Sequence, residues 1–346
     1  MEFKILREYP SNEVENAWRD YLARLEFPSH YDAPEFFREP LWADRRPFAI
    51  LALDGPRVAG VVTGLQPDKN VMCGLPSRPQ ISVDPAGDVA GTLDTLANGL
   101  LSHAKSAELV SVYSWKSLEL PAFAARGFQK QEMPGNVVLD LTLGADGVFK
   151  QFTKDRRRNI RYAEKNGVVV TEATTDEDLA DAYAVYLNWR ERRGKAADGR
   201  TLSFDVYKQV ARLKGNRLLL IARVEGKAVA INTFRFFPSG LFESSSNCSL
   251  PEFIHLKPND LLQWRGIEWA CRNGQRRHSL GGSHEFLLRF GGTVVPVIRY
   301  RLDQTFLRRN DLHDAVQGIG RQLVRKMPPF VEKGIRKLAG KEKASR

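Results

Sequence analysis

The chain has 346 residues, is 42% hydrophobic and 10% aromatic, and carries a formal net charge of +11. That length exceeds one ordinary hydrophobic core, so two domains are expected, and the apolar content excludes a disordered chain. The basic excess favours anionic partners (phosphorylated small molecules, nucleic acid or a membrane surface) without choosing among them.

Cys73, Cys248 and Cys271 are widely spaced and form no CxxC pair, so neither a zinc site nor a disulfide framework is indicated. No run of about 18 apolar residues reads as a membrane span. The charged N-terminus with its amphipathic helix does not read as a signal peptide. The expectation is a reduced, cytoplasmic protein.

In chain order, the first clear element is a hairpin in "FAILALDGPRVAGVVTG" (48–64), with apolar strands around Asp54-Gly55-Pro56-Arg57. A helix–strand unit follows in 92–115, then the turn "FAARGF" (123–128). The same order returns later. The hairpin at Glu225-Gly226-Lys227 in 217–234 precedes a helix–strand unit in 259–283 and the turn "FLLRFGG" (286–292). The three offsets, roughly 171, 167 and 163 residues, are in register. They predict a duplicated α/β unit, each copy a mixed sheet flanked by helices, with the boundary near Leu143–Gly147. The expected domains are 1–145 and 146–310, followed by a basic helical tail, 311–346.

A helix is expected over 148–166 at the junction of the two units. On a wheel at about 100° per residue, Phe149, Phe152, Ile160 and Ala163 share one side, with Lys154, Arg157, Arg158, Arg161 and Lys165 opposite. Gly167 ends this helix, and "VVVTEA" continues as a strand. Arg156 falls in the middle of the apolar side, an expensive place unless it finds a partner.

"RRNIRYAEKNGVVV" resembles the Arg-x-x-Ile-Arg-x-Ala…Gly-Val segment of the Fem family of peptidoglycan-bridge aminoacyltransferases and their relatives. "LKPNDLLQWRGIEWACRNGQRRHSLGGS" (256–283) is similar to their Pro-x-x-Leu-Leu-x-Trp-x-x-Ile-x-Trp-Ala segment with its Gly-Gly finish, and "RFGG" (289–292) to their closing Phe-Gly-Gly. The N-terminal "AWRDYLARLEFPSHYDAPEFFREPLW" resembles GNAT-like acyltransferases of the BioF2-like group, found near cell-envelope functions. The likeness runs to about Asp303. It implies two tandem GNAT-like (acyl-CoA N-acyltransferase) domains. The chain departs from the pattern at Phe286-Leu287, where the Fem enzymes carry Phe-Lys. It also lacks a long helical hairpin for gripping tRNA and an Arg/Gln-x-x-Gly-x-Gly/Ala loop for acetyl-CoA.

Acyl transfer to an amine needs a neutral amine, an oriented thioester or ester, donors for the developing oxyanion and a route for the proton. The candidate bases are Glu243, in "LFESSSNCS", and His284 and Glu285, which follow the Gly-Gly turn. A lone Glu on an amphipathic strand is more often a surface residue, and Ser244, Ser245 and Ser246 beside Asn247 read as pocket lining or a plain turn. Arg157 and Arg161, one turn apart and matching the Fem pattern, are expected to hold a phosphate, because a guanidinium fork binds two phosphate oxygens. Lys257, beside the helix start at Pro258, and Arg289 complete the substrate-binding set. At Lys257, simple helix capping weighs equally with phosphate binding. His103, His255, His278 and His313 have no metal-ligand spacing, so no metal is expected.

The expected function is acyl or aminoacyl transfer to an amine of a cell-envelope or nucleotide-linked precursor, from acyl-CoA or another acyl donor. The alternatives are an aminoacyl-tRNA-dependent peptidoglycan-bridge transferase and a non-catalytic relative that binds anionic ligands. The expected partner is an anionic small molecule or a lipid-linked substrate, with nucleic acid entering only as an aminoacyl-tRNA donor. Residues 321–346 hold nine Lys or Arg against Glu332 and Glu342, a net of +7. A weak contact of that tail with the inner face of a membrane is one expectation, and a solvated tail weighs equally.

Overall fold

The computed structural model describes residues 1–313 apart from 27, 116, 196–200 and 214. The tail expected to touch a membrane lies almost wholly outside the described residues.

The first half runs β1 (Glu2–Leu6), α1 (Asn12–Leu22), a series of 3-10 turns to Arg45, β2 (Pro47–Asp54), β3 (Arg57–Leu65) and β4 (Asn70–Leu75). It continues with the short strands β5 (Arg78–Pro79) and β6 (Ile81–Val83), then α2 (Val89–His103), β7 (Leu109–Trp115), α3 (Pro121–Ala124) and β8 (Gln129–Asp140). Two helices, α4 (Gly144–Gln151) and α5 (Lys154–Lys165), lead into the second half. There the order is β9 (Val169–Glu172), α6 (Asp176–Arg192), α7 (Phe204–Ala211), β10 (Arg217–Val224), β11 (Lys227–Phe236) and β12 (Leu241–Ser249). The chain closes with α8 (Pro258–Arg272), β13 (Arg277–Ser279), α9 (Glu285–Leu288) and β14 (Thr293–Asp303).

The repeat seen in the sequence is a repeat of structure. β2–β3 and β10–β11 are the two hairpins, and each carries a register shift at the same place, after Ala52 and after Ala222. Their turns differ in chemistry. Gly55 has φ +57 and is followed by Pro56, whereas Glu225 and Gly226 are both at positive φ (50 and 81), the pattern of a type I′ turn. Alternate residues feed two cores in each half. Phe48, Ile50 and Ala52 face the α2 side while Ala49 and Leu51 face α1. Leu218, Leu220 and Ala222 face α8 while Leu219 and Ile221 face α6. Both sheet faces are therefore covered, which is why these strands read as continuous apolar runs.

The strands join one sheet, with twelve in the order β1-β2-β3-β4-β7-β14-β8-β13-β12-β11-β10-β9 and, off this path, β5 paired with β4 and β6 with β3. The two long strands are exchanged at its centre. β14, from the end of the chain, lies between β7 and β8, and β8 lies between β14 and β13. Each half is thus completed by a strand of the other.

The expected helix over 148–166 is broken in two. Phe152 is extended (ψ 146), and the Thr153 hydroxyl accepts from the Arg156 N–H to start α5 afresh. The break lets Phe149 and Phe152 both pack on Trp264 of α8. Gly167, at φ +75, ends α5 as expected.

Candidate active site in the second half

β12 and β13 run parallel but pair only at Leu241↔Arg277, Phe242↔His278 and Glu243↔Ser279. Beyond that point they part. On β12 the register against β11 shifts between Thr233 and Phe234, so Ser245 has no opposite partner, and a bulge of this kind bends and twists its strand. On the β13 side, Gly281 at φ +83 turns the chain away towards α9. The gap between them is a cavity of about 460 Å³. Its β12 wall is the Ser244–Asn247 stretch, whose backbone has no ladder partner on the β13 side. Asn259 and Gln263 of α8 form another wall, and Trp189 and Arg192 of α6, with Arg193 just after it, stand at the opposite face.

A hydrogen-bonded network sits at the fork. Ser244 Oγ lies 3.0 Å from His278 Nε2, and Gln263 Nε2 lies 3.1 Å from Ser244 Oγ and 3.2 Å from His278 Nε2. Asn232 Nδ2 donates to Gln263 Oε1 at 3.1 Å. An amide nitrogen only donates, so His278 Nε2 accepts and the ring proton sits on Nδ1. Burial pushes this imidazole down to about 3, so it stays neutral and acts as a fixed acceptor. His278 therefore orients Ser244 and does not exchange protons near neutrality. His284, in the cavity wall, is exposed at the start of α9 with its ring stacked near Phe286.

Of the residues singled out from sequence, His284 and Asn247 come together on this cavity. Glu243 is buried on the other face of the sheet, opposite Arg235 on β11 and 3.9 Å from Arg78. Glu285 points to solvent and pairs with Arg289, which is also exposed. Arg157 turns back onto the last carbonyls of α4, donating to Lys150 O at 3.0 Å and to Phe152 O. Arg161 is exposed, its guanidinium 5.8 Å from the Phe149 ring. Arg156 has found its partners. It ion-pairs with buried Asp260, donates to Phe286 O at 2.8 Å, and stacks over Phe286 and Phe290. It thereby fixes the α9 segment that carries His284.

The α8 start is a poor phosphate cradle. Lys257 adopts φ +61, Pro258 has no N–H, and the N–H groups of Asp260 and Leu261 both go to Lys257 O. Asn259 alone has a first-turn N–H to offer a pyrophosphate.

Sequence reasoning missed Gln263, Asn232 and His278. The signal was present for Gln263, a polar residue on the inward face of an amphipathic helix.

The matching fork in the first half lies between β6 and β7. It holds a smaller cavity of about 290 Å³ with apolar walls that include Ile81, Val83, Trp115 and Leu118. A cavity of about 770 Å³ lies beside the paired ends of β8 and β14, lined by Val138, Asp140, Arg277, Gly292 and Thr293. Its charged residues, Arg277 and Asp140, are 2.5 Å apart and neutralise each other. Among the described residues, no His, Cys, Asp and Glu group is arranged to hold a metal ion, and no helix is long and apolar enough to cross a membrane.

Residues 150–290, which carry the whole of this fork, match the family profile of an acetyltransferase (GNAT) domain. No curated protein matches the chain in sequence. Among solved structures the fold is similar to FemX, at 14% identity and a TM-score of 0.64, covering 88% of this chain and 98% of that one. It is similar to the C-terminal domain of a putative lysylphosphatidylglycerol synthetase from Agrobacterium fabrum, at 12% identity and a TM-score of 0.59, covering 88% and 96%. It is also similar to a tandem GNAT protein from the clavulanic acid biosynthesis pathway, at 15% identity and a TM-score of 0.57, covering 88% and 99%.

Proposed function

We propose that the chain, whose residues 150–290 match the profile of an acetyltransferase (GNAT) domain and whose fold is similar to that of a tandem GNAT protein, transfers an acyl group to an amine of a cell-envelope or nucleotide-linked precursor. The observation that carries this reading is the polar fork between β12 and β13, with His284 in its wall. The amine nitrogen attacks the acyl carbonyl, the C–N bond forms, and the C–S bond of a thioester donor breaks. His284 takes the proton from nitrogen and returns it to the departing thiolate. Backbone N–H groups on the open edge of β12 face the developing oxyanion. The walls of the fork carry this chemistry without a covalent nucleophile.

The α8 start suits a coenzyme pyrophosphate poorly, which keeps an aminoacyl ester donor, as in an aminoacyl-tRNA, as the second reading. Thiol release from acetyl-CoA on adding an amine, followed with a thiol reagent, decides between them. Release that depends on His284 supports the thioester reading. Amine-dependent transfer from aminoacyl-tRNA alone supports the second.

A further inference from the structure

The walls of the fork contain two arginines, one histidine and no Asp or Glu. Arg192 and Arg193 stand exposed at its mouth. Arg192 uses its guanidinium on neutral acceptors only, Asn188 Oδ1 at 3.0 Å and the Ser249 carbonyl. The Arg193 guanidinium lies 5.7 Å from the Trp189 ring. Neither has a carboxylate partner among the described residues. Among the described residues the mouth is therefore positive with no paired carboxylate, and guanidinium forks suit phosphate oxygens.

The interior has a different chemistry. Ser244, Ser245, Ser246, Asn247, Asn232 and Gln263 supply hydroxyls and amides, groups that both donate and accept. Asn232 and Asn259 each keep a buried amide oxygen with no donor. A dense set of neutral two-way groups matches a ligand whose own groups do both, which is the property of a sugar ring. Trp189, Ile254, Leu280, Phe286 and Leu287 add apolar surface to the same walls, against which the C–H face of a sugar ring can lie.

We infer that the acceptor is an amino sugar bearing a phosphate or diphosphate, with its hydroxyls on the serine and amide walls and its anion at Arg192 and Arg193. This rests on the reading of the fork as the transfer site. The nitrogen that becomes acylated is then the sugar's own amine.

Calorimetric titration with glucosamine 1-phosphate, UDP-glucosamine, glucosamine and inorganic phosphate tests the inference. Glucosamine 1-phosphate or UDP-glucosamine is expected to bind at least tenfold more tightly than glucosamine or phosphate alone, and the better of the two identifies the source of the anion. The double variant Arg192→Ala/Arg193→Ala, at two exposed positions, should lose that advantage and leave glucosamine binding unchanged. Asn247→Trp, which blocks the fork, should abolish sugar binding. Equal binding of sugar phosphate and inorganic phosphate would overturn the inference, as would a double variant that binds like the parent. Mass spectrometry of the ligand separates the two levels. Bound sugar phosphate that is never acylated would sink the transfer reading alone. Acylation of other amines without sugar-phosphate binding would sink this inference alone.

Discussion

Tyr31 Oη lies 2.9 Å from Arg235 Nη1, although 204 residues separate them. The same hydroxyl oxygen accepts from Arg78 Nη1 at 2.9 Å. Around it, Glu39 pairs with Arg217 and lies 3.6 Å from Arg235, while Glu243 faces Arg78. This buried cluster fastens the first half to the second beneath the fork. Glu243 therefore reads as a structural counter-ion. Glu39→Gln would leave Arg217 and Arg235 buried beside each other without their carboxylate. The expected loss is about 3–5 kcal/mol, the range for breaking a buried pair, and chemical denaturation would measure it. Tyr31→Phe removes one acceptor shared by two guanidinium groups and should cost about 1.5–3 kcal/mol.

The helix junction allows a sharper comparison. Arg156→Met strands Asp260 in the core and should destabilise by about 3–5 kcal/mol. Arg157→Ala removes a cap from the α4 carbonyls at a cost of about 1 kcal/mol. Exposed Arg161→Ala should stay within about 0.5 kcal/mol of the parent. The ranking, read from denaturation midpoints, is the test. If Arg161 proves costlier than Arg156, the junction is misread.

Acid should weaken the fold in a defined window. Burial lowers His278 to about 3 and His30 to about 4, and burial with the nearby charge of Arg7 lowers His103 to about 4. In the unfolded chain these rings bind protons near pH 6.5, so between pH 6.5 and about 4 the unfolded state holds more protons than the folded one. Stability contributed by the neutral rings is complete above 6.5 and is lost as pH falls through that window. Glu39 adds a loss at lower pH. Burial alone would raise its carboxyl, but His30, Arg217 and Arg235 outweigh that and hold it at about 2. Thermal midpoints between pH 7.5 and 4.5 should therefore fall steadily below 6.5. A flat profile would contradict the neutral, buried histidines.

Gly292 and Gly55 separate strain from crowding. Gly292 has φ +81, and an added Cβ would lie 2.6 Å from Val138 O, on the exchanged strand β8. Gly55 has φ +57 with nothing within 4 Å of an added Cβ. Gly55→Ala should cost about 1–2 kcal/mol for the backbone alone. Gly292→Ala adds a backbone clash, so its melting temperature should fall further. Equal losses would mean that β14 can shift away from β8.

The duplication was legible because its signals are local. A Gly turn between apolar runs marks each hairpin, and Arg156 announced itself by standing on the apolar side of its helix. The break at Phe152 was hidden because the amphipathic pattern continues across it, although Thr153 is a good cap. The exchange of β8 and β14 has no local signature, since a strand's sequence does not say which partner it pairs with. Glu243 looked catalytic for the same reason. Its partners Arg78 and Arg235 come from distant strands, and only the fold shows which face it occupies. His284 was singled out through its place after the Gly-Gly turn and lies in the cavity wall, while His278 was set aside for lacking metal spacing and lies hydrogen-bonded beside Ser244.

Acyl transfer is proposed to take place in the second-half fork, not in its first-half counterpart. The most direct measurement compares initial transfer rates for two plugs at exposed rim positions, Asn247→Trp in the second fork and Ser117→Trp in the first. The account predicts that Asn247→Trp loses at least a hundredfold, the lower range for removing a positioned acid–base step, while Ser117→Trp keeps the parent rate. Full activity in Asn247→Trp with loss in Ser117→Trp would contradict it and move the chemistry to the first half.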